Sequence, residues 1–575
     1  MKLFKKISYY FLGAGSPATL MWVVPLLMIV PNVVLDFTEV QYTTAERLTN
    51  VLLPLGVYLL LLAWSRNIGR SVLFCLPIMV LCSFQLVLTG LYHEAIIAVD
   101  MFLNVVTTNM SEATELLGQL NTSIALVCAL YLPPLVAAAM FVVRRQKTTA
   151  PQRRAARIAG LALAVAGIVT MTVSLCSGEG YRVERRLFPV NVIANMKTAA
   201  QRSRASAQYF ETSRDFTFNA SSDRSPSERE IYVMVVGETS RADNWQLFGY
   251  GRPTNPHLSQ RYGLTAFGKT LSESNTTHKS VPLMLSHLHA VNFGDSINKV
   301  KSVIEAFNEA GYATAWISNQ QRNNSYIDFF GEEATHAEFI VDDRKRHYDM
   351  ELPGHLRRFI DKQFADSTGS KKVFVVLHTY GSHFNYKERY PTEFNAFTPD
   401  VSAKAEARNR PALLNAYDNT ILYTDAVLDS IISTIDSYGC TSAVVYTSDH
   451  GEDIYDDDRK RFLHASPNPT YWQLHVPMLV WISQTYADRH PEQYVSLRKN
   501  KNKNVASSRS IFHTLMSMSG ISTPFYDPGA AVSEDAYTEP NRHYLNDYNE
   551  ATGLYKCGFK YEDFEKLIEK NIRAY

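Results

Sequence analysis

Residues 442–453 read SAVVYTSDHGED, a β-branched and aromatic run that breaks at its end into Asp449, His450, a glycine and two more carboxylates. The first half suits a strand and the second a strand-to-loop bend. Within a strand Asp449 and His450 would point to opposite faces, but at a bend both can turn toward one centre. Similar runs recur at IYVMVV (231–236), TAWIS (314–318), KVFVVLHT (372–379) and PMLVWIS (477–483). Between them lie helix-period segments, NKVKSVIEAFNEAG (298–311) and ALLNAYDNTILYTDAVLDSIISTI (412–435). That alternation predicts an α/β sandwich around a mainly parallel sheet, whose sites gather outside the carboxyl ends of the strands. There is no internal repeat and no low-complexity tract.

Three of these strand ends finish in candidate ligands: Glu238 after IYVMVVG, His378 and His383 in VVLHTYGSH, and Asp449 with His450. Carboxylate and imidazole together suit zinc. Each residue taken alone also reads as a strand-end polar group bonded to the backbone, and it is their convergence that favours a centre. His464 in RFLHASPNPTYW is a further ligand or phosphate donor. The acidic run EDIYDDD before it reads as a solvated surface, and His475 as a structural residue of a core strand. In SESNTTHKSVPLML (272–285), Thr277 precedes a segment that can start a helix, with Pro282 expected in the first turn. A hydroxyl there faces the positive end of the helix and suits a phosphoryl group in flight. Thr276 or Thr277 can equally serve as a plain N-cap.

The first third has a different character. Uncharged stretches run from Ile7 to Leu35, Leu48 to Ser65, Ser71 to Tyr92, Leu116 to Val143 and Ile158 to Gly178, each close to or above the ~20 residues that span a bilayer core. Five transmembrane helices are expected. The first is read as an anchor and not a cleaved leader, because it is long, interrupted by Pro17, Pro25 and Pro31, and followed by four more spans. Basic residues gather in the N-terminal tail and alternate loops (Lys2, Lys5, Lys6; Arg66, Arg70; Arg144 to Arg157), which places the tail in the cytoplasm and everything after Gly178 across the membrane. In the loop before the fourth span, Asn104, Thr108 and Glu112 recur at i, i+4, i+8 and would share one helix face. Residues 179–230 are polar and basic, as in a linker, and 188–210 can form an amphipathic helix along the interface. The expected organisation is a transmembrane domain at 1–178, a linker at 179–230 and an exported catalytic domain at 231–575.

Composition conceals this division. The 575 residues carry 57 Lys and Arg against 56 Asp and Glu, a net charge of +1. The first 176 residues hold 12 basic and 7 acidic side chains, so the remainder holds 45 and 49. Neutrality is a cancellation between a basic-inside anchor and a slightly acidic exported part. The balance excludes a polyanion-coating tail, and no nucleic-acid partner is expected. Cys440 and Cys557 are the two cysteines of the exported part, enough for one disulfide or two free thiols.

In order along the chain, GETSRADNWQLFGYGRPTNP, the Thr277 segment ending SVP, WISNQ, LHTYGSH followed by RYP, YDNTILYTD and SDHGED resemble the motifs of the membrane-bound phosphoethanolamine transferases of the alkaline phosphatase and sulfatase superfamily. The five spans and the Asn104, Thr108, Glu112 helix resemble that family too. The resemblance implies an alkaline phosphatase/sulfatase-like exported domain, zinc held by Glu238, Thr277, Asp449 and His450, and Thr277 as the nucleophile that becomes phosphoethanolamine-modified. It implies that His383 and His464 serve the substrate phosphate or a second zinc, and that Asn104, Thr108 and Glu112 reach the lipid. Asn319 matches a polar position near the ethanolamine pocket, and His378 is the weaker substrate-binding candidate. The implied donor is phosphatidylethanolamine and the acceptor lipid A or the core of lipopolysaccharide, handled by a monomer in the inner membrane with its catalytic domain in the periplasm. Such a modification of lipid A masks negative charge and would confer polymyxin resistance. Glu273 and Leu283 stand where family members often carry a cysteine pair, which leaves the acceptor open between lipid A and a core or glycan sugar. Three alternatives are weighed beside this reading. A sulfatase needs an Arg where Met284 stands, a phosphoglycerol transferase of the lipoteichoic acid synthase type differs in its donor, and a non-catalytic membrane-anchored sensor would not need the full set of ligands.

Overall fold

The computed structural model describes residues 16–37, 42–92, 97–107, 120–177, 180–341, 346–367, 369–401 and 405–575. The chain divides into two compact units, Met1–Phe102 with Ser111–Ala200, and Leu103–Met110 with Gln201–Tyr575.

In the first unit, four helical stretches among the described residues are long and apolar enough to cross a membrane: Pro17–Phe37, Thr44–Leu62, Asn121–Val143 and Ala150–Cys176. A fifth is the pair Ile68–Phe74 and Leu76–Gly90, bent by 53°. The bend has a local cause: Pro77 has no N–H to offer the Leu73 carbonyl one turn back. The five-span expectation holds with this bent pair counted as one span. Thr44–Leu62 and Ala150–Cys176 pack closely through small residues, since a Cβ on Gly56 would lie 2.5 Å from the Ala164 nitrogen and one on Gly167 2.5 Å from the Leu53 nitrogen. In lipid this close backbone approach replaces the hydrophobic drive. Of the three polar residues expected on one helix face, Asn104 falls in the helix Val99–Thr107, while Thr108 and Glu112 lie outside the described residues. The amphipathic segment forms the helix Val190–Ala207.

The second unit is built on a seven-stranded sheet. Its strands are β1 (Glu230–Gly237), β2 (Leu264–Phe267), β3 (Ala313–Ser318), β4 (His336–Phe339), β5 (Lys372–His378), β6 (Thr441–Ser448) and β7 (Met478–Ile482), in the spatial order β2-β7-β6-β1-β5-β3-β4. β6, β1, β5, β3 and β4 are parallel, and β7 and β2 add an antiparallel edge. β1, β5 and β6 are buried along their whole length, which explains why they read as unbroken apolar runs instead of alternating ones. Tyr232, Met234 and Val236 pack with Val303, Phe307, Ile511 and Phe512 in one continuous core. The helix Arg410–Asp436 encloses the whole predicted segment 412–435. Register does the rest: Val236 lies beside His378, and Gly237 beside Ser448. The next residues of three neighbouring strands, Glu238, Thr379 and Asp449, therefore leave the sheet together.

Candidate active site

At the end of β1 the chain turns sharply at Thr239, a non-glycine residue with φ +58°. Asp449 fixes this turn, its Oδ1 accepting the Thr239 N–H at 3.0 Å, and Tyr417 fastens its far side by donating to the Thr239 carbonyl at 2.7 Å and accepting the Arg241 N–H at 2.9 Å. Gly381 crosses directly beneath: at φ +57° a Cβ there would stand 2.6 Å from the Glu238 carbonyl oxygen. These contacts give the GETSR, YDNT and YGSH motifs one shared role, which is to aim Glu238.

At the end of β6, the ring of His450 donates from Nδ1 to the Gly451 carbonyl at 2.9 Å. That fixes the tautomer and leaves the Nε2 lone pair facing inward. Nε2 lies 3.1 Å from Thr277 Oγ1, 3.2 Å from Asp449 Oδ2 and 3.5 Å from Glu238 Oε1. Thr277 Oγ1 donates to Glu238 Oε1 at 3.1 Å. Thr277 is the first residue of the helix Thr277–Leu285, and Thr276 is the N-cap residue, whose side chain makes no capping bond. The hydroxyl of Thr277 is thus turned into the cluster and not onto its own helix. Pro282 sits in the middle of this helix, beyond the first turn where it was expected.

His464 joins from the loop after the acidic run. Its ring centroid is 4.1 Å from that of His450 and 6.0 Å from that of His383. The backbone on both sides is in the left-handed region, Leu463 at φ +69° and Ala465 at φ +62°, costing of order 1–3 kcal/mol each in residues other than glycine. Such strain persists only where the surroundings impose it, here through a ladder from Leu463 to Asp453 and a bond from the Ala465 N–H to the Asn275 carbonyl at 3.1 Å. Glu238, His450 and His464 each offer one ligand atom, all within 4.8 Å of one another.

The electrostatics call for a cation. Burial raises the Glu238 carboxyl to about 7, with Asp449 reinforcing it, and burial likewise raises Asp449 to about 7. Burial lowers His450, leaving it neutral, and lowers His464 well below the usual imidazole value. Asp449 Oδ2 is buried with no hydrogen-bond partner. Two buried carboxyls facing neutral imidazoles, one with an orphaned oxygen, form a donor set of the type zinc takes.

The remaining expected residues occupy different stations. His383 closes the YGSH turn, its Nδ1 2.7 Å from the Phe384 carbonyl. Asn319 donates to Asp349 Oδ1 at 2.8 Å, and Asp349 accepts the Tyr380 and Gly381 N–H groups at 2.9 Å each. It therefore braces the loop that carries His383. His378 is buried, 3.2 Å from Ser318 Oγ, and burial pushes it down to about 3. His475 bonds Asp243 at 2.6 Å and the Gly268 carbonyl at 2.9 Å, as a structural residue does.

Sequence reasoning missed two residues and misread a third feature. Gln320 reaches Glu238 Oε2 at 3.4 Å and the Thr379 carbonyl at 2.8 Å; its only signal was its place beside Asn319. Glu452 lies 3.4 Å from His464 Nδ1 and is fully buried. The acidic run is not a solvated surface: Glu452 and Asp453 are buried, and Asp456 pairs with Arg241 at 2.6 Å and Arg410 at 2.9 Å. Asp456 faces inward because two arginines from separate segments meet it there, and Asp453 because Thr470 and Gln473 donate to it at 2.7 and 2.6 Å. Cys440 and Cys557 are both free and buried.

The model of the Sulfatase family matches residues 230–521, just over half of the chain, and the chain belongs to that family. Among curated proteins it is similar to phosphoethanolamine transferase EptA of Escherichia coli K12, 30% identical over 307 residues, covering 52% of this chain and 54% of the relative. Over 301 residues it is 26% identical to the Kdo(2)-lipid A phosphoethanolamine 7''-transferase of the same organism, covering 51% and 52%. The chain thus spans about half the length of the curated relatives it matches. Among solved structures, the C-terminal periplasmic domain of Escherichia coli EptC in complex with Zn aligns with TM-score 0.52 at 25% identity, over 60% of this chain and 97% of that one. The integral membrane lipooligosaccharide phosphoethanolamine transferase EptA of Neisseria meningitidis aligns with TM-score 0.68 at 22% identity, over 91% and 99%, which shows the fold.

Proposed function

We propose that this protein is a zinc-dependent phosphoethanolamine transferase, anchored in the inner membrane by its N-terminal helices with its catalytic domain in the periplasm. In this reading it passes phosphoethanolamine from phosphatidylethanolamine, through Thr277, to a lipid A phosphate or a core or glycan sugar of lipopolysaccharide. The observation that carries the reading is the Thr277 hydroxyl, held at a helix N-terminus against Glu238 and His450. Glu238, Asp449 and His450, with Thr277 and His464, would hold zinc, which when bound favours the ionised hydroxyl and offsets charge on the phosphate.

The first step forms a bond from Thr277 Oγ to the donor phosphorus and breaks the bond to diacylglycerol, whose oxygen takes up a proton. The second forms a bond from the acceptor oxygen to phosphorus and releases Thr277. Glu238 accepts the Thr277 hydrogen bond, and the helix N-terminus faces the phosphoryl oxygens. His383, whose ring centroid lies 6.0 Å from that of His464, would carry the proton between leaving and attacking oxygens. Because donor and acceptor both stay in the leaflet, anchoring raises their effective concentration at the site.

Mass spectrometry of the purified protein tests this directly. A phosphoethanolamine adduct is expected on Thr277, and none in Thr277→Ala. A phosphoglycerol adduct would reassign the donor, and full activity of Thr277→Ala would sink the mechanism. Lipid and glycan profiles of cells with and without the gene identify the acceptor.

A further inference from the structure

Among the described residues of the second unit, large exposed apolar side chains stand far apart in sequence at Phe210, Tyr262, Val291, Met350, Val401 and Val495, and gather along the chain only near its C-terminal end, where Tyr575 is exposed as well. There Tyr555, Tyr561 and Ile568 are 70%, 74% and 77% exposed. They form one patch: Tyr555 stacks on Phe564 with centroids 4.9 Å apart, and Tyr561 and Ile568 stand three residues before and four after Phe564 on the helix Tyr561–Glu569, hence on its face. The neighbouring face is anchored, with Leu567 in a cluster with Tyr471, Leu474, Leu554 and Phe559, and Asp563 paired to Arg459 at 2.7 Å.

We propose that this patch is a lipid-contacting surface that seats the catalytic unit on the headgroup layer of the bilayer beside its site. Four observations identify the occupant. The patch adjoins the loop that carries His464, since a Cβ on Gly558 would lie 2.7 Å from Asn468. Tyrosine with an aliphatic neighbour is the side-chain set that settles at headgroup depth. The charges around it have both signs, the exposed Lys556 and half-buried Lys566 and Lys570 against the exposed Glu562, Glu565 and Glu569, which complements a zwitterionic headgroup and not a polyanion. The same chain carries helices of bilayer length, so a membrane is always within reach and even a weak contact is occupied. The proposal rests on the reading that the donor is a bilayer lipid, which requires the mouth of the site to meet the membrane.

The test uses the full chain in nanodiscs of phosphatidylethanolamine and phosphatidylglycerol, with a photo-crosslinking amino acid at Tyr561 or Ile568 and, as controls, at Tyr262 or Val495. Phospholipid adducts at 561 and 568, ~tenfold above the controls, are expected. Adduct yields equal to the controls, or crosslinks to protein in place of lipid, overturn the proposal. The triple variant Tyr555→Ser, Tyr561→Ser, Ile568→Ser should raise the apparent KM for donor lipid in the bilayer by ~tenfold with kcat unchanged, whereas a fall in kcat at constant KM would contradict a docking role. The mass of Thr277 in the same samples reports the transferase reading separately: lipid adducts at 561 with an unmodified Thr277 would keep the surface and fail the donor assignment.

Discussion

Removing the metal should couple the stability of this protein to pH in a direction that the site dictates. Glu238 and Asp449 are buried together and pushed up to about 7 when no cation lies between them. In the unfolded chain both ionise near the ordinary carboxylate value of about 4. Between those values the folded protein holds protons that the unfolded chain has released, so raising the pH favours unfolding. The metal-free protein is therefore expected to lose stability from about pH 4 to about pH 7 and to level off above that. Zinc cancels this slope, because a cation displaces both protons and leaves the folded and unfolded chains equally ionised over this range. Well below pH 7 its apparent affinity should fall by ~100-fold per pH unit, and a factor of 100 in occupancy is worth about 2.7 kcal/mol. The assay is thermal unfolding of chelator-treated protein in detergent, followed by tryptophan fluorescence, with and without zinc across this range. Stabilisation by zinc should be small at about pH 5, grow steeply and saturate above about pH 7. Equal stabilisation at both ends, or an unchanged slope in the double variant Glu238→Gln, Asp449→Asn, would refute the assignment of these carboxyls as the cation site.

Three further outcomes follow from named contacts. Gln320→Leu removes the amide that holds Glu238 Oε2 at 3.4 Å and should weaken zinc binding ~10- to 100-fold, as loss of an outer-shell partner does; isothermal titration reads it, and Gln320→Asn should leave most of the deficit in place because the shorter side chain falls short. Asp456→Ala leaves the buried Arg241 without its 2.6 Å partner and should destabilise by ~3–5 kcal/mol in denaturant unfolding; a loss below 1 kcal/mol would mean that water reaches the pair. Gly381→Ala places a Cβ 2.6 Å from the Glu238 carbonyl at φ +57°, so it should lower both melting temperature and zinc content, with the metal loss marking the displaced loop.

The parts of the site legible in the sequence are those whose side chains end a strand. β1, β5 and β6 announce themselves as apolar runs, parallel pairing brings their carboxyl ends level, and Glu238 and Asp449 follow from that alone. Thr277 is harder, because a threonine before a helix reads as a cap until the structure turns its hydroxyl 3.1 Å from Glu238 and leaves capping undone. The acidic run was misread for a related reason: charge in a linear sequence counts as solvated unless its partner is known, and Arg241 and Arg410 come from segments 215 and 46 residues away from Asp456. Gln320 and Glu452 have no pattern at all, since what selects them is distance to a ligand and not spacing along the chain. The strained backbone at Leu463 and Ala465 belongs to the same class: neither residue type favours positive φ, and the cost is met by contacts from β-ladder and loop that exist only in the fold. What sequence periodicity carries is the scaffold that brings three strand ends together; what it omits is the layer of buried partners that decides which way those ends point, and in this protein that layer also keeps the two carboxyls close enough to need a cation.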